Sequence, residues 1–279
     1  MFTDLRPTYV LPTGHNRITG RYIAMMLLAL SLFSHHALAA EPELLVAISP
    51  DIPPYVIQQA TKGLHVDLVR GALSDYTLRF IQMPKDELQT AVQQKLADVS
   101  VNVQSAEDGV FYSNDSISFA NYAISKKADG FKINRVADLK NHQVLTWQRA
   151  YLELGDEFKQ LFSTQSPQRK NYTEVADQID QVRMFWHGKN KIIVIDGSIF
   201  RYFSKELGYS MNDVEFHEIL PAVTNLKVGF KEAAVRDKFN QRLAEICQSG
   251  DYAKLLKRYD VELENTICDD PTVKDSSSH

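Results

Sequence analysis

Along the chain, short continuous apolar runs alternate with stretches in which apolar residues recur every three or four positions, and this alternation predicts strands separated by helices. "LLVAI" (Leu44 to Ile48) reads as a buried strand, and "GLHVDLVRGALSD" places Leu64, Leu68, Ala72 and Val69, Leu73 on one helical stripe. "YTLRFIQM" follows as a strand, "PKDELQTAVQQKLAD" as a helix with Leu88, Ala91, Val92 and Leu96 facing inwards, and "VSVNV" as a second buried strand. Strand, helix, strand, helix, strand in that order predicts parallel strands joined by right-handed helical crossovers.

The pattern then restarts. "VADLKNHQVLTW" is a lead-in and strand, "AYLELGDEFKQLF" a helix, "EVADQIDQVRMFWHGK" a helix with Val175, Ile179, Val182 and Trp186 inward, and "KIIVIDG" a strand. "SIFRYFSKEL" (helix), "VTNLKVGFK" (strand) and the helices "AVRDKFNQRLAEICQSG" and "DYAKLLKRYD" complete the chain. The second α/β unit is inserted before the final strand and helices. Two units without a low-complexity linker imply a double crossing with a hinge, and ligands of open α/β sheets bind beyond the carboxyl ends of the strands.

Between the first strand and the first helix lies "ISPDIPPY". Pro50, Pro53 and Pro54 bar both continuation of the strand and an immediate helix, so a stiff, extended loop is expected to hold Tyr55 at the rim of the sheet. At the N-terminus, Arg6, Arg17 and Arg21 precede the apolar run "YIAMMLLALSLFS", and "HHALAA" offers Ala37-Leu38-Ala39 as a small-x-small cleavage site. This is the pattern of a secretory signal over residues 1–39, too short for a comfortable membrane span, and it places the mature protein in the periplasm. An uncleaved anchor is the rival reading. Cleavage removes three Arg and one Asp and takes the formal charge from −4 to −6, a surface that does not suit nucleic acid. Only Cys247 and Cys268 are present, and an even pair in an exported chain is read as one disulfide. The polar end "DDPTVKDSSSH", residues 269–279, is expected to be disordered.

Five fragments in order resemble the type II periplasmic solute-binding proteins, in particular the amino-acid-binding family 3. They are "LLVAISPDIPPYV" running into "GLHVDLVRGAL", "KLADVSVNV", "VADLKNHQVLTWQRAYLE", "MFWHGKNKIIVIDGSIFRYF" and "GFKEAAVRDKFNQRLAEICQSGDYAKLLKRY". The resemblance covers nearly all of the mature chain. It implies an α/β, two-lobed fold of type II, each lobe a mainly parallel sheet flanked by helices. Lobe 1 is discontinuous (40–123 and 224–268), lobe 2 is 124–223, and the crossings fall near Tyr122 to Lys126 and Leu220 to Leu226.

Departures from the family pattern bear on the ligand. His65 stands where the family usually has an acidic residue. After "VNV" the family carries an arginine that grips the ligand's α-carboxylate, whereas "QSAEDGVFYSND" has no basic residue and puts Asp108 near that place. An acid there repels a carboxylate, so the solute is cationic or lacks a carboxylate, or the site is degenerate. The family's Gly-Thr turn aligns with Gln148-Arg149-Ala150, which offers Arg149 as a compensating cation. Asp196 aligns with the acid that receives the ligand's amino group; it also reads as an N-cap for the helix near Ser198. The expected ligand contacts are Tyr55, Asn102 and Asp108 from the first lobe and Trp147, Arg149 and Asp196 from the second. Tyr112, Tyr122, Phe119 and Phe111 cluster near the first crossing, and one of them is expected to stack on a ligand opposite Trp147.

No metal or cofactor is called for. His142, His187 and His217 lack metal-ligand spacing and read as surface residues, and no nucleophile motif or phosphate loop is present. The sequence therefore points to a monomeric binding protein, not an enzyme, that closes over a small polar solute and serves an inner-membrane transporter or sensor kinase. Two other classes stay open: a sensory or interaction module, ligand-gated or ligand-independent, for a membrane partner, and a periplasmic lyase or dehydratase on the same fold with Asp108 and Arg149 forced into catalysis.

Overall fold

The computed structural model describes residues 42–274 except 190 and 222. The expected secretory segment 1–39 and residues 275–279 lie outside the described residues. Among the described residues no helix is long and apolar enough to cross a membrane.

The first half of the chain forms β1 (Glu43–Ile48), α1 (Leu64–Ala72), β2 (Thr77–Gln82), α2 (Lys85–Leu88), β3 (Val99–Val103), β4 (Phe111–Tyr112), β5 (Ile117–Phe119) and β6 (Asn121–Lys126). Then come β7 (Gln143–Trp147), α3 (Asp156–Phe162), β8 (Tyr172–Val175), α4 (Gln178–His187), β9 (Lys191–Asp196), α5 (Gly197–Glu206), β10 (Val214–His217) and β11 (Thr224–Phe230). The C-terminal part is α6 (Ala233–Gln248), α7 (Asp251–Arg258) and α8 (Pro271–Lys274).

Two sheets result. The first has the order β2-β1-β3-β11-β4, with β5 also paired to β11; the second has the order β10-β6-β9-β7-β8. Both are mixed, which corrects the expectation of mainly parallel sheets. β1 is parallel to β2 and β3, and β7 is parallel to β8 and β9, but β11 runs antiparallel to β3, β4 and β5, and β6 antiparallel to β9 and β10. The antiparallel strands are those that carry the chain between the sheets. β5 still pairs with β11 of the first sheet while β6 enters the second at Asn121, so the outward crossing falls at Ala120, just before the expected Tyr122.

One apolar cluster joins the sheets. It runs from Val46, Ile48, Val99 and Val101 through Tyr55 and Ile117 to Ile124, Leu145, Ile193 and Ile195. A second cluster under β7 and β9 contains Phe158, Phe162 and Val144, and a smaller third, with Ala47, Leu88 and Ala91, covers the other face of β1 and β3.

Several local expectations change. The helix read over "PKDELQTAVQQKLAD" is one turn long; beyond Leu88 the chain makes turns whose amides bond three to five residues back, Lys95 turns left-handed at φ 60, and Leu96 is exposed. The Gln89 side chain holds this stretch by bonding both the amide and the carbonyl of Gln104. "AYLELGDEFKQLF" is split by Gly155 at φ 92 into a 3-10 turn and α3. His217 is buried, its Nε2 2.9 Å from Ser125 Oγ, because β10 pairs with β6 and turns that face inwards. Cys247 and Cys268 form a disulfide. It anchors the polar tail, so residues 271–274 are helical and Val273 is fully buried, where disorder had been expected from residue 269.

Candidate functional site

Tyr55 emerges from a turn and not from an extended loop. The Ile52 carbonyl accepts from the amides of Tyr55 and Val56, which folds "IPPYV" back on itself. The carbonyls of Pro54 and Tyr55 then accept from the amides of Leu64 and His65, two of the donors that open α1 and that no side chain caps. Gly63 makes this docking possible: it sits at φ 131, and a Cβ there would stand 2.2 Å from the Tyr55 carbonyl oxygen. The Tyr55 backbone is thereby fixed to the first sheet's opening helix.

The Tyr55 side chain points the other way. Its ring is fully buried, 4.4 Å from that of Phe119, and its hydroxyl lies 3.2 Å from both carboxylate oxygens of Asp196. Asp196 ends β9 in the second sheet. Its Oδ1 caps α5 by accepting from the amides of Ser198 and Ile199 at 3.0 Å, and its Oδ2 accepts from the amide of Ala120, the crossing residue, at 2.9 Å. Four donors thus satisfy one buried carboxylate, and the group unites the crossing, the helix start and the loop of the opposite sheet. Burial pushes its carboxyl up to about 6 against the pull of those donors, and burial followed by the Asp196 charge pushes the Tyr55 hydroxyl well up.

The other expected site residues are placed as follows. Asp108 is tied inside its own loop: it accepts from the Tyr112 hydroxyl at 2.7 Å and the Val110 amide at 3.1 Å. Trp147, at the carboxyl end of β7, is half-buried against the second core. Arg149 is exposed and sits at φ 59, a left-handed conformation uncommon for a long side chain, immediately after that strand. Asn102 lies at the bulge where the pairing of β3 with β11 shifts register, at φ 67, with its Oδ1 buried and without a hydrogen-bond partner among the described residues. Of these residues the structure brings Tyr55 and Asp196 into contact. Phe119, expected among the ligand-stacking aromatics, lies against Tyr55.

Two contributors were missed in the sequence. His65 is fully buried with neither ring nitrogen in good hydrogen-bonding geometry to any described residue, and burial pulls its imidazole down to about 3 against the opposing influence of the nearby Asn102 side chain. Ser49, the residue after β1, carries a buried hydroxyl without a partner among the described residues. Only the departure at His65 from the family's acid signalled anything. At the rim, Lys85 reaches Glu153 at 2.6 Å, linking α2 to the segment after β7, although both ends are well exposed and such a pair contributes little. Among the described residues no group of three or more His, Cys, Asp or Glu side chains could hold a metal ion.

No protein-family model matches the sequence, and no curated protein matches it significantly. Solved structures do match. A mutant of ArgBP from T. maritima aligns over 79% of this chain and 96% of its own at 18% identity, with a TM-score of 0.59. The GluR0 ligand-binding core in complex with L-glutamate aligns over 79% and 98% at 15% identity and TM-score 0.63. A histidine kinase sensor domain with similarity to periplasmic binding proteins aligns over 80% and 98% at 17% identity and TM-score 0.62. At such identities the likeness concerns architecture, and that architecture agrees with the two mixed sheets and double crossing described above. The chain has the two-lobed, type II periplasmic-binding-protein fold.

Proposed function

We propose that the protein is an exported solute-binding protein whose two lobes close over a small polar solute, for delivery to a transporter or for reporting to a membrane sensor. One observation carries the reading: a side chain from the loop after β1 and a side chain from the end of β9 meet at the carboxyl ends of strands from both sheets, where ligands of open α/β sheets bind. A solute in that position would touch both lobes and shift the balance between open and closed states through its unequal contacts with them.

The solute differs in kind from an α-amino acid. The residue near the place of the carboxylate-gripping arginine is an acid engaged with Tyr112, and the acid corresponding to the amino-group acceptor already holds Tyr55. A preference for cations, the expectation if Asp108 and Asp196 both lined an open cleft, loses its support because both carboxylates have internal donors. Native mass spectrometry of protein freshly purified from the periplasm should find a retained small molecule. Adding it back should raise Tm and compact the particle in small-angle scattering. Retention of nothing, with no thermal response to a broad solute panel, would contradict the reading.

The saturation of Asp196 favours a second reading, a sensory or interaction module whose cleft is filled by its own side chains. The likeness to a histidine kinase sensor domain suits it. Under this reading the same preparation retains no molecule and does not change shape on exposure to solutes. No catalytic role is assigned.

A further inference from the structure

Buried polar atoms without partners are costly, so a native chain that keeps several together has a reason for them. Ser49 Oγ, both ring nitrogens of His65 and Asn102 Oδ1 are such atoms. They belong to one place in the fold. Ser49 follows β1 and Asn102 lies near the end of β3, and these adjacent strands run parallel with Ala47 opposite Ser100, so both residues stand at their carboxyl ends. His65 is in the first turn of α1, whose amides hold the Tyr55 turn. The Asn102 side chain is near enough to the His65 ring to favour its protonated form, but the two are not in hydrogen-bonding geometry, so each still lacks a proper partner. Asn102 is also only half-buried, and the chain after it, Gln104 to Glu107, is exposed, so Asn102 stands between the sealed histidine and solvent. Its left-handed backbone at a strand bulge is the kind of local strain that proteins keep where a side chain must be aimed.

We propose that Asn102, positioned by His65 and assisted by Ser49, is the first lobe's solute-reading element, and that it takes an uncharged hydrogen-bonding group, a hydroxyl or a carboxamide, in place of a carboxylate or an ammonium. This rests on the solute-binding reading above. The chemistry follows from the donor set. A neutral imidazole brings one donor and one acceptor, a hydroxyl brings both, and an amide oxygen accepts; none carries charge. A charged group brought against them would lose its hydration without a counter-ion, whereas a hydroxyl or carboxamide can donate to Oδ1 and accept from Ser49. His65 stays neutral at physiological pH because of its burial, which fits this role. His65 is a positioning residue: its ring fixes the amide that meets the solute.

The test uses the mature protein and two sources of solute: the small molecules released when freshly purified protein is denatured, and a panel of ribitol, N-acetylglucosamine, acetamide, L-glutamine, L-glutamate and L-arginine. Binding is followed by calorimetry for wild type, Asn102→Leu, His65→Leu and His65→Gln, with circular dichroism to confirm that each variant folds. The expected result is binding of an uncharged polar solute, weakened about tenfold or more in Asn102→Leu and His65→Leu and largely restored in His65→Gln, which keeps a donor and an acceptor. Unequal nitrogen-15 shifts of the wild-type His65 ring that move on binding would mark the positioning role. A retained zwitterion or ion, equal binding by all four proteins, or a high-resolution structure with the solute elsewhere and only water at these atoms, would overturn the proposal while leaving solute binding intact. Absence of any bound molecule would overturn both.

Discussion

Two buried polar groups adjoin the Tyr55 turn, Asp196 at the tyrosine hydroxyl and His65 at the tyrosine carbonyl, and they are built on opposite principles. On one side Asp196 is surrounded by donors: a tyrosine hydroxyl from the other sheet and three backbone amides. On the other side His65, Asn102 and Ser49 keep buried atoms that no described residue bonds in good geometry, the Asn102 side chain acting only loosely on the His65 ring. A carboxylate so fully bonded has the character of a structural joint. Its raised pKa follows from burial outweighing its donors. The unsatisfied cluster has the opposite character: polar groups positioned by the fold while their partners are left to come from outside. Equal burial therefore does not mean equal purpose; the count of internal partners separates the two.

This contrast can be broken most forcefully at Asp196. Asp196→Ala should leave the Ala120, Ser198 and Ile199 amides and the Tyr55 hydroxyl without an acceptor and remove the cap of α5. The expected loss is about 3–5 kcal/mol in denaturant unfolding, the range for removing one partner of a buried charged network. A loss under about 1 kcal/mol would show that the carboxylate is not the joint described.

The pH dependence sharpens the comparison, because the two groups pull in opposite directions. Asp196 titrates higher in the folded chain, at about 6 against a usual 3.8, so the native state holds its proton more tightly and this contribution falls as pH rises from about 4 to about 6. That gap corresponds to on the order of 3 kcal/mol. His65 titrates lower, at about 3 against 6.5, so its contribution is lost as pH falls from about 6.5 towards 3, where the unfolded chain takes up a proton that the folded chain refuses. Stability profiles of Asp196→Asn and His65→Gln should separate these slopes: the first variant should lose stability more steeply than wild type on acidification between pH 6 and 4, and the second more gently. Identical profiles for all three proteins would remove the electrostatic basis of the contrast.

The smallest expected effect is the most telling about the cluster. His65→Leu replaces an unpartnered buried imidazole by a side chain that needs no partner, and in the absence of solute it should change stability by less than about 1 kcal/mol, or raise it. A loss of 3 kcal/mol or more would mean that the ring makes internal hydrogen bonds and that the cluster is structural.

How much of this was legible in the sequence follows from the range of the forces involved. Periodicity and Pro-Gly punctuation are local, so β1, α1, β2, β3, β9, α5, β11, α6 and α7 could be read directly, and the cysteine pair and the insertion of the second unit with them. β8 and β10 were not anticipated, since each is four residues long and gains its identity from neighbours distant in sequence. α2 was read too long because the Leu88, Ala91, Val92 pattern fits a run of turns as well as a helix when Gln89 and Lys95 end it. In the site, the cap role of Asp196 was visible in "DGS", three residues long. Its partnership with Tyr55, 141 positions away, was not, because nothing local tells a tyrosine lining a cleft from one that closes it. His65 could be flagged as a departure but not as buried without a partner, which only the packing of α1 decides.

A double-mutant cycle on Tyr55→Phe and Asp196→Asn tests the account's central claim most directly, since it isolates the bond that joins the two sheets from everything else each side chain does. Measured by equilibrium unfolding at pH 7, where the carboxylate is ionised, the pair should show a coupling energy of about 1.5–3 kcal/mol, the range for a hydrogen bond to a charged group. Additive losses, with no coupling, would mean that the hydroxyl and the carboxylate do not meet in solution and that the junction between the lobes is made elsewhere.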